Sequence, residues 1–413
     1  MSIFPGWRQV VVAAVGQGLS TTSVVTAYSV VAVPLAGAFH PSRTALVLTI
    51  TLVMLAISVL SPPIGAAMDR YSLRRLMLAG TGFLTAGFLA LSFTTSMVQV
   101  YVVYAVILAV SNILLGPLAA SALLGRWFSR KRGLAMGIAA LGIAVAGLIL
   151  PPLIHKLIEV FEWRMAFRVL AGLYLVILVP TILLLQVDKP SLLNLHPDGD
   201  KEPPAGVQES DLPLMTTGAI LRDPTFWLIT IALAVAFSGG TGLLPNLSPI
   251  VMDKGVSSGE AAILISILSA GSFSGKLLFA VASDRVDLRI ALGGCLFLIA
   301  VAMFFFWHFT AYALLAMGAF IAGVAMGAIV PLWGFLVTRS FGAQNVGRVM
   351  GIMTTAETPL LLLSPPLFGW FFDNTGSYTG AYMLYIGLSA AAIALVPRIR
   401  THVTMVAAKP ATS

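Results

Sequence analysis

The chain has 413 residues, 58% of them hydrophobic and only 10% charged, whereas a soluble globular domain carries roughly 25% charge. That imbalance excludes a water-soluble fold. The net charge of +8 is placed in short stretches between apolar runs, which argues for membrane orientation and against a nucleic-acid surface.

A hydrocarbon core of ~30 Å is crossed by about 20 apolar residues in a helix, because lipid offers no water to satisfy backbone polar groups. The apolar runs therefore predict an all-α integral membrane protein of about twelve spans. The first, at 8–34, has no small-residue cleavage site behind a short apolar core and reads as a retained helix. The second, at 44–66, leads into the charged segment GAAMDRYSLRR, Gly65 to Arg75. Spans at 76–95 and 98–123 follow, then the basic segment Arg126 to Arg132, and spans at 133–154 and 165–187. Between 188 and 223 the composition turns to Pro, Asp, Glu, Gly and Ser, as in LHPDGDKEPPAGVQESDLP, which reads as a solvated linker. A second set is predicted at 224–250, 260–282, 290–307, 311–337, 347–371 and 379–397, before a tail at 398–413. The single cysteine, Cys295, lies in one of these spans without a partner, so no disulfide framework is expected.

The halves 1–187 and 224–397 repeat each other. Pro117-Leu118 returns as Pro331-Leu332, Met136-Gly137-Ile138 as Met350-Gly351-Ile352, and Pro151-Pro152-Leu153 as Pro365-Pro366-Leu367, at one constant shift. Asp69-Arg70-x-x-Leu73-Arg74 returns as Asp284-Arg285-x-x-Leu288-Arg289, after the second span of its half. Duplicated halves that rock about a midplane site are a common design of secondary transporters. With both termini inside, the internal side collects Arg70, Arg74, Arg75, Arg126, Arg130, Lys131, Arg132, Arg285 and Arg289 among others, including Arg400. The outside keeps Arg43, Lys156, Arg164, Arg168 and Lys254, as the positive-inside rule requires.

In the first motif, Gly65 allows close helix approach. Asp69 is suited to accept hydrogen bonds from a facing helix N-terminus and to form a charged latch with nearby arginines. The expected gating set is Asp69, Arg70, Arg74, Asp284, Arg285, Arg289, Arg130 and Arg132; the bland alternative is a topology signal. This segment resembles the signature loop of the major facilitator superfamily, G-x-x-x-D-R-x-x-R/K-R. The resemblance implies two six-helix pseudo-symmetric bundles and transport by alternating access. A second motif, RWFSRKRGLAMGIAALGIAVAG from Arg126 to Gly147, resembles the junction of the fourth and fifth helices in the monocarboxylate porters and oxalate:formate antiporters. FEWRMAF, Phe161 to Phe167, and FHPSR resemble further stretches of those families. Trp127 stands where Tyr or Phe is usual, and Pro5-Gly6-Trp7 lacks the acidic residue of the animal porters, so a microbial relative in an inner membrane is expected.

Two ionisable residues interrupt the apolar spans. Lys276 and Glu357 lie eight residues before Asp284 and nine after Arg348, so each sits roughly 12–14 Å from the internal end. A charge at such depth costs from ~3 to more than ~10 kcal/mol and marks a pathway or site by default. Lys276 is suited to neutralise a carboxylate, and Glu357 to pair with Lys276 in the empty site and take up a proton when the anion displaces it. Snorkelling of Lys276, or a structural Glu357 beside Pro359, is the alternative. By resemblance, Lys276 stands where those families place a substrate-binding Arg, and Glu357 where the oxalate antiporter has a second cation. One cation beside an acid favours a monocarboxylate moved with a proton over oxalate. Weaker candidates for the solute site, largely by resemblance, are Gln17, Tyr28, Asn112, Asn246 and Trp333.

The expected partners are a small organic carboxylate, protons and the lipid bilayer, with no nucleic acid, and a monomer is expected. No cofactor, metal or catalytic residue is indicated, and HExxH and P-loop patterns are absent from the sequence. An organic-anion exchanger and a non-transporting sensor of the same fold remain open at this level.

Overall fold

A computed structural model of the chain describes residues 4–26, 28–41, 43–199, 214–282 and 285–399. The described residues are helical nearly throughout and contain no strand. In chain order, α1 comprises Gly6–Thr21, a π-helical turn at Thr22–Thr26 and Tyr28–Phe39; α2 is Arg43–Arg70 and α3 Leu73–Ser92. Helix α4 comprises Met97–Val102, a π-helical turn at Val103–Leu108, Ala109–Leu115 and Pro117–Trp127. The continuous stretch Arg132–Leu185 is two spans, α5 (132–161) and α6 (163–185), joined at Glu162, whose φ of 63° and ψ of 150° break the helix. Then come α7 Pro224–Met252, α8 Ser258–Ala282, α9 Leu288–His308, α10 Tyr312–Phe341, α11 Val346–Thr375 and α12 Thr379–Leu395.

Local chemistry fixes several starts. The Asp223 carboxylate accepts from the Thr225 N–H at 2.8 Å with Pro224 at the first helical position, and the Asp287 carboxylate accepts from the Arg289 N–H at 2.8 Å. Each satisfies an amide that the helix itself leaves unpaired.

The structure alters three sequence expectations. Residues 65–69, expected in a loop, form the last turns of α2, because Gly65 packs against α11 and the apolar face continues past Pro62 and Pro63. The span expected at 98–123 is interrupted at Gly116 (φ −77°, ψ −159°), since Pro117 drives the preceding residue out of the helical region. The loop expected between 154 and 165 is helical on both sides of Glu162.

Packing follows the repeat. Helix α1 packs on α5 as α7 does on α11, α3 on α6 as α9 on α12, and α2 on α4 as α8 on α10. Across the halves, α2 meets α11 and α5 meets α8. The end of the bundle that carries Asp69, Arg126 and Arg348 is called the basic end below.

The linker, expected to be solvated, is docked at both of its described ends. The Asp198 carboxylate accepts backbone N–H bonds from Ser129 (3.0 Å) and Arg130 (2.7 Å) in the turn between α4 and α5. Met215 N–H donates to Asn345 Oδ1 at 2.8 Å, and Arg348 donates to the Met215 carbonyl, so the far end is tied to the turn before α11. Asp198→Ala is expected to raise amide hydrogen exchange across 129–131 by tenfold or more while leaving overall helix content unchanged. Unchanged exchange there would show that the carboxylate is no tie.

Candidate solute-binding site

The site is built on a closed basic end. Asp69 Oδ1 accepts from the Gly347 N–H at 2.9 Å and Oδ2 from the Arg348 N–H at 2.8 Å, in the first turn of α11. A carboxylate of one half thus satisfies two orphan amides at a helix N-terminus of the other, where the helix dipole also favours negative charge. The close approach needs glycine: a Cβ on Gly65 would collide with the Gly347 carbonyl, and one on Gly347 with the Gly65 carbonyl. One and two turns further along, Gly351 abuts the Ser61 carbonyl and Thr355 Oγ1 donates to the Ser58 carbonyl. On the other flank Gly137 of α5 rests on Ala280 of α8, and Gly334 of α10 faces Ser121 of α4.

The other gating candidates divide differently. Arg74 donates its backbone N–H to Asp188 (2.7 Å) and its guanidinium to the Leu183 carbonyl at the end of α6. Arg132 donates to the Phe128 carbonyl and, at 3.2 Å, to the Gly125 carbonyl, closing the C-terminus of α4. Arg130 contributes a backbone N–H to Asp198, Arg289 pairs with Asp287 at 2.7 Å, and Arg70 and Arg285 are exposed. Asp284 and Arg400 lie outside the described residues. The contacts named here for Arg74, Arg132 and Arg289 stay within one half, because cations seek the nearest helix C-terminal carbonyls or the neighbouring acid. Within the described part of the gating set, Asp69 makes two hydrogen bonds across the halves.

Asp69→Ala is expected to shift the basic end toward opening by tenfold or more. Hydrogen bonds to a charged group contribute about 1.5–3 kcal/mol each, and about 1.4 kcal/mol is tenfold. Spin-label distances across α2 and α11 would report the change; an unaltered distribution would remove Asp69 from the latch.

Deeper in the bundle, helix contacts give a ruler for depth. Helices α8 and α10 run in the same direction, with Gly271 against Phe320, Gly275 against Val324, Gly323 against Leu268 and Gly327 against Ser272, so Lys276 is level with about residue 328. Helix α11 runs opposite to α10, and Trp333 Nε1 contacts Met353 Sδ at 3.4 Å. Glu357, one turn beyond Met353, is therefore level with about residue 329. The two ionisable residues are therefore at nearly the same depth, within about one residue's rise of ~1.5 Å. Lys276 is 8% exposed and Glu357 3%. The Lys276 ammonium donates to Ser272 Oγ at 2.8 Å, while Glu357 Oε1 is buried without a hydrogen-bond partner.

The expected Lys276–Glu357 pair is not formed: no ion pair joins them among the described residues. The reason is lateral, since α8 packs along one side of α10 and α5 while α11 packs against α7 and α2. Ser272 was not anticipated, although it stands four residues before Lys276, the spacing at which helical side chains meet.

Between the halves lies a small cavity of about 10 Å³, room for about one water. Gln17, Pro117, Ala120, Met136, Ala140 and Pro331 are among its lining residues. Gln17 is thus the one member of the weaker set on this wall. Tyr28 donates its hydroxyl to the Leu46 carbonyl at 2.8 Å, and Asn112 Nδ2 donates to Thr21 Oγ1 at 3.3 Å. Asn246 Nδ2 serves the Gly242 and Pro365 carbonyls at 2.8 and 3.3 Å. Trp333 is wedged edge-on to Phe237, with ring centroids 5.9 Å apart. These four brace helices against one another in the structure.

Two pseudo-symmetric helical bundles, closed at one end over a buried lysine, a buried acid and an inter-half cavity, define a membrane transport protein. The Major Facilitator Superfamily family model matches residues 13–356 and 231–411, and the chain belongs to that superfamily. Within it the chain resembles monocarboxylate transporters. It is 29% identical over 343 residues to monocarboxylate transporter 12 of Xenopus laevis, covering 79% of this chain and 74% of that one. It is 27% identical over 351 residues to monocarboxylate transporter 4 of Mus musculus, covering 83% and 72%. Among solved structures, the human organic anion transporter MFSD10 shares the fold, with a TM-score of 0.70 at 16% identity over 95% of this chain and 100% of that one.

Proposed function

We propose that the protein carries a small monocarboxylate together with a proton, by alternating access, as a monomer in an inner or plasma membrane with the basic end and both termini in the cytoplasm. The carrying observation is the pair of deeply buried, equally deep side chains whose charges meet no counter-ion among the described residues. An uncompensated lysine at such depth is stable only against water, a dipole or an arriving anion, and Ser272 supplies just one neutral acceptor. An acid without a hydrogen-bond partner on Oε1 is suited to hold its proton and release it on a change of surroundings. The names of the relatives, which are vertebrate monocarboxylate transporters, point to the same substrate class.

In this reading the closed basic end exposes the site to the opposite side. A carboxylate reaches Lys276, Glu357 becomes protonated, and with both charges neutralised the halves can rotate, releasing Asp69 from Gly347 and Arg348. The test is uptake of a labelled monocarboxylate into proteoliposomes. Accumulation driven by an acid exterior and abolished by a protonophore is expected. Counterflow that is indifferent to the acid gradient would make the protein an exchanger, and saturable binding without uptake would make it a sensor.

A further inference from the structure

We propose that Thr355 is a second lock between the halves, its hydroxyl moving between two backbone carbonyls, and that Pro62 creates the acceptor the lock needs. The proposal rests on the reading of alternating access and deepens it by naming a contact that opening of the basic end must break.

Helix α2 is continuous over Arg43–Arg70 with Pro62 inside it. A helical carbonyl accepts from the N–H four residues on, and proline has none, so the Ser58 carbonyl loses its intrahelical donor. An acceptor orphaned within a membrane span must find another donor. The donor comes from the opposite half: Thr355 Oγ1 of α11 donates to the Ser58 carbonyl.

The neighbouring threonines of α11 show the ordinary behaviour. Thr354 Oγ1 donates to the Met350 carbonyl at 2.9 Å and Thr358 Oγ1 to the Thr354 carbonyl at 2.6 Å, each four residues back on its own helix. Thr355 departs from this pattern. The Gly351 carbonyl, four residues back, is 3.4 Å from its Oγ1, and the hydroxyl is drawn to Ser58 instead. Thr355 is exposed, so its hydroxyl has room to turn, whereas Ser58 is buried.

One proton with two acceptors makes a two-position element. With the basic end closed, the hydroxyl serves Ser58 across the halves; when the halves part, it falls back on Gly351 and the Ser58 carbonyl is left to water entering the cleft. A contact made in one state and lost in the other biases the equilibrium between them. Bonds within one half, such as those of Asn112 and Asn246, have no such leverage. The depth fits the role, since Thr355 lies two turns beyond the Gly65–Gly347 contact on the same helix pair and two residues before Glu357. A separation that starts at Asp69 therefore reaches Thr355 last.

The experiment records spin-label distances across α2 and α11 at the basic end of the full-length protein in liposomes. Thr355→Val keeps the shape and removes the donor, and is expected to raise the ratio of open to closed molecules by about threefold to tenfold, the size of an interhelical hydrogen bond in a membrane. Thr355→Ser restores a hydroxyl and should stay within about twofold of the parent. Pro62→Ala returns an N–H to the Ser58 carbonyl, so in that background Thr355→Val is expected to change the ratio by less than about twofold. An equal shift in both backgrounds, or no shift in either, overturns the lock. A single closed distance in every variant, Asp69→Ala included, would count against alternating access itself, and the lock falls with it.

Discussion

Lys276→Ala is expected to weaken carboxylate binding by at least tenfold to a hundredfold and to abolish accumulation in proteoliposomes. The ammonium is the one cation that the described structure buries at the level of the cavity, and a hydrogen bond to a charged group contributes about 1.5–3 kcal/mol. The same substitution removes a buried charge held by the neutral Ser272 Oγ, so the apo protein should become no less stable to heat and is expected to gain stability. Lost binding with retained or raised Tm separates a binding lysine from a structural one. Lys276→Arg should restore binding only in part, because the planar guanidinium forms a wider fork than the compact ammonium held by Ser272. Isothermal calorimetry and a melting curve on the same preparations decide the matter. Unchanged binding by Lys276→Ala would identify the residue as a snorkelling side chain and remove the anion from this site.

Much of the fold was legible in the sequence because hydrophobic length and charged punctuation act over whole spans. The internal repeat placed α2 and α8 in equivalent roles, and the glycine-aspartate pattern of α2 announced a close approach to a helix N-terminus, which the Asp69–Gly347–Arg348 contacts realise. What the sequence could not show is lateral position. Lys276 and Glu357 share a depth, as counting from flanking charges predicted, yet they lie on opposite flanks of α10, and depth alone says nothing about the angle around a bundle. Polar residues in spans were also ambiguous: Tyr28, Asn112 and Asn246 were candidates for a watery cavity, and each has a hydrogen-bond acceptor elsewhere. A donor in lipid must find some acceptor, and a neighbouring carbonyl serves as well as a solute. The arginines of the basic motifs posed the same problem, since topology, helix capping and gating all favour cations at one end of a bundle.

The lateral separation sharpens what is expected of Glu357. An acid that paired directly with Lys276 would act by competition with the substrate for one cation. An acid on α11, one turn beyond the Met353 that contacts Trp333 of α10, instead acts through the packing of α10 against α11. Its charge state sets whether those helices can close over a dry interior, because an ionised carboxylate without a partner resists burial whereas a protonated one does not. Glu357→Gln imitates the protonated form with nearly the same volume. It is expected to abolish accumulation against a gradient, a loss of at least a hundredfold in the steady-state ratio driven by two pH units, while exchange of internal for external carboxylate continues at a rate within about threefold of the parent. Affinity for the carboxylate should change little and lose its dependence on pH, since the proton site is then permanently occupied in effect. Parallel measurements of uphill uptake and counterflow distinguish this from direct pairing: if Glu357→Gln instead tightens carboxylate binding by tenfold or more, the acid competes at Lys276 and the two flanks must converge in some state of the cycle. Retention of full pH-driven accumulation by the variant would mean that the proton travels on another group, and the coupling role assigned to α11 would have to be given up.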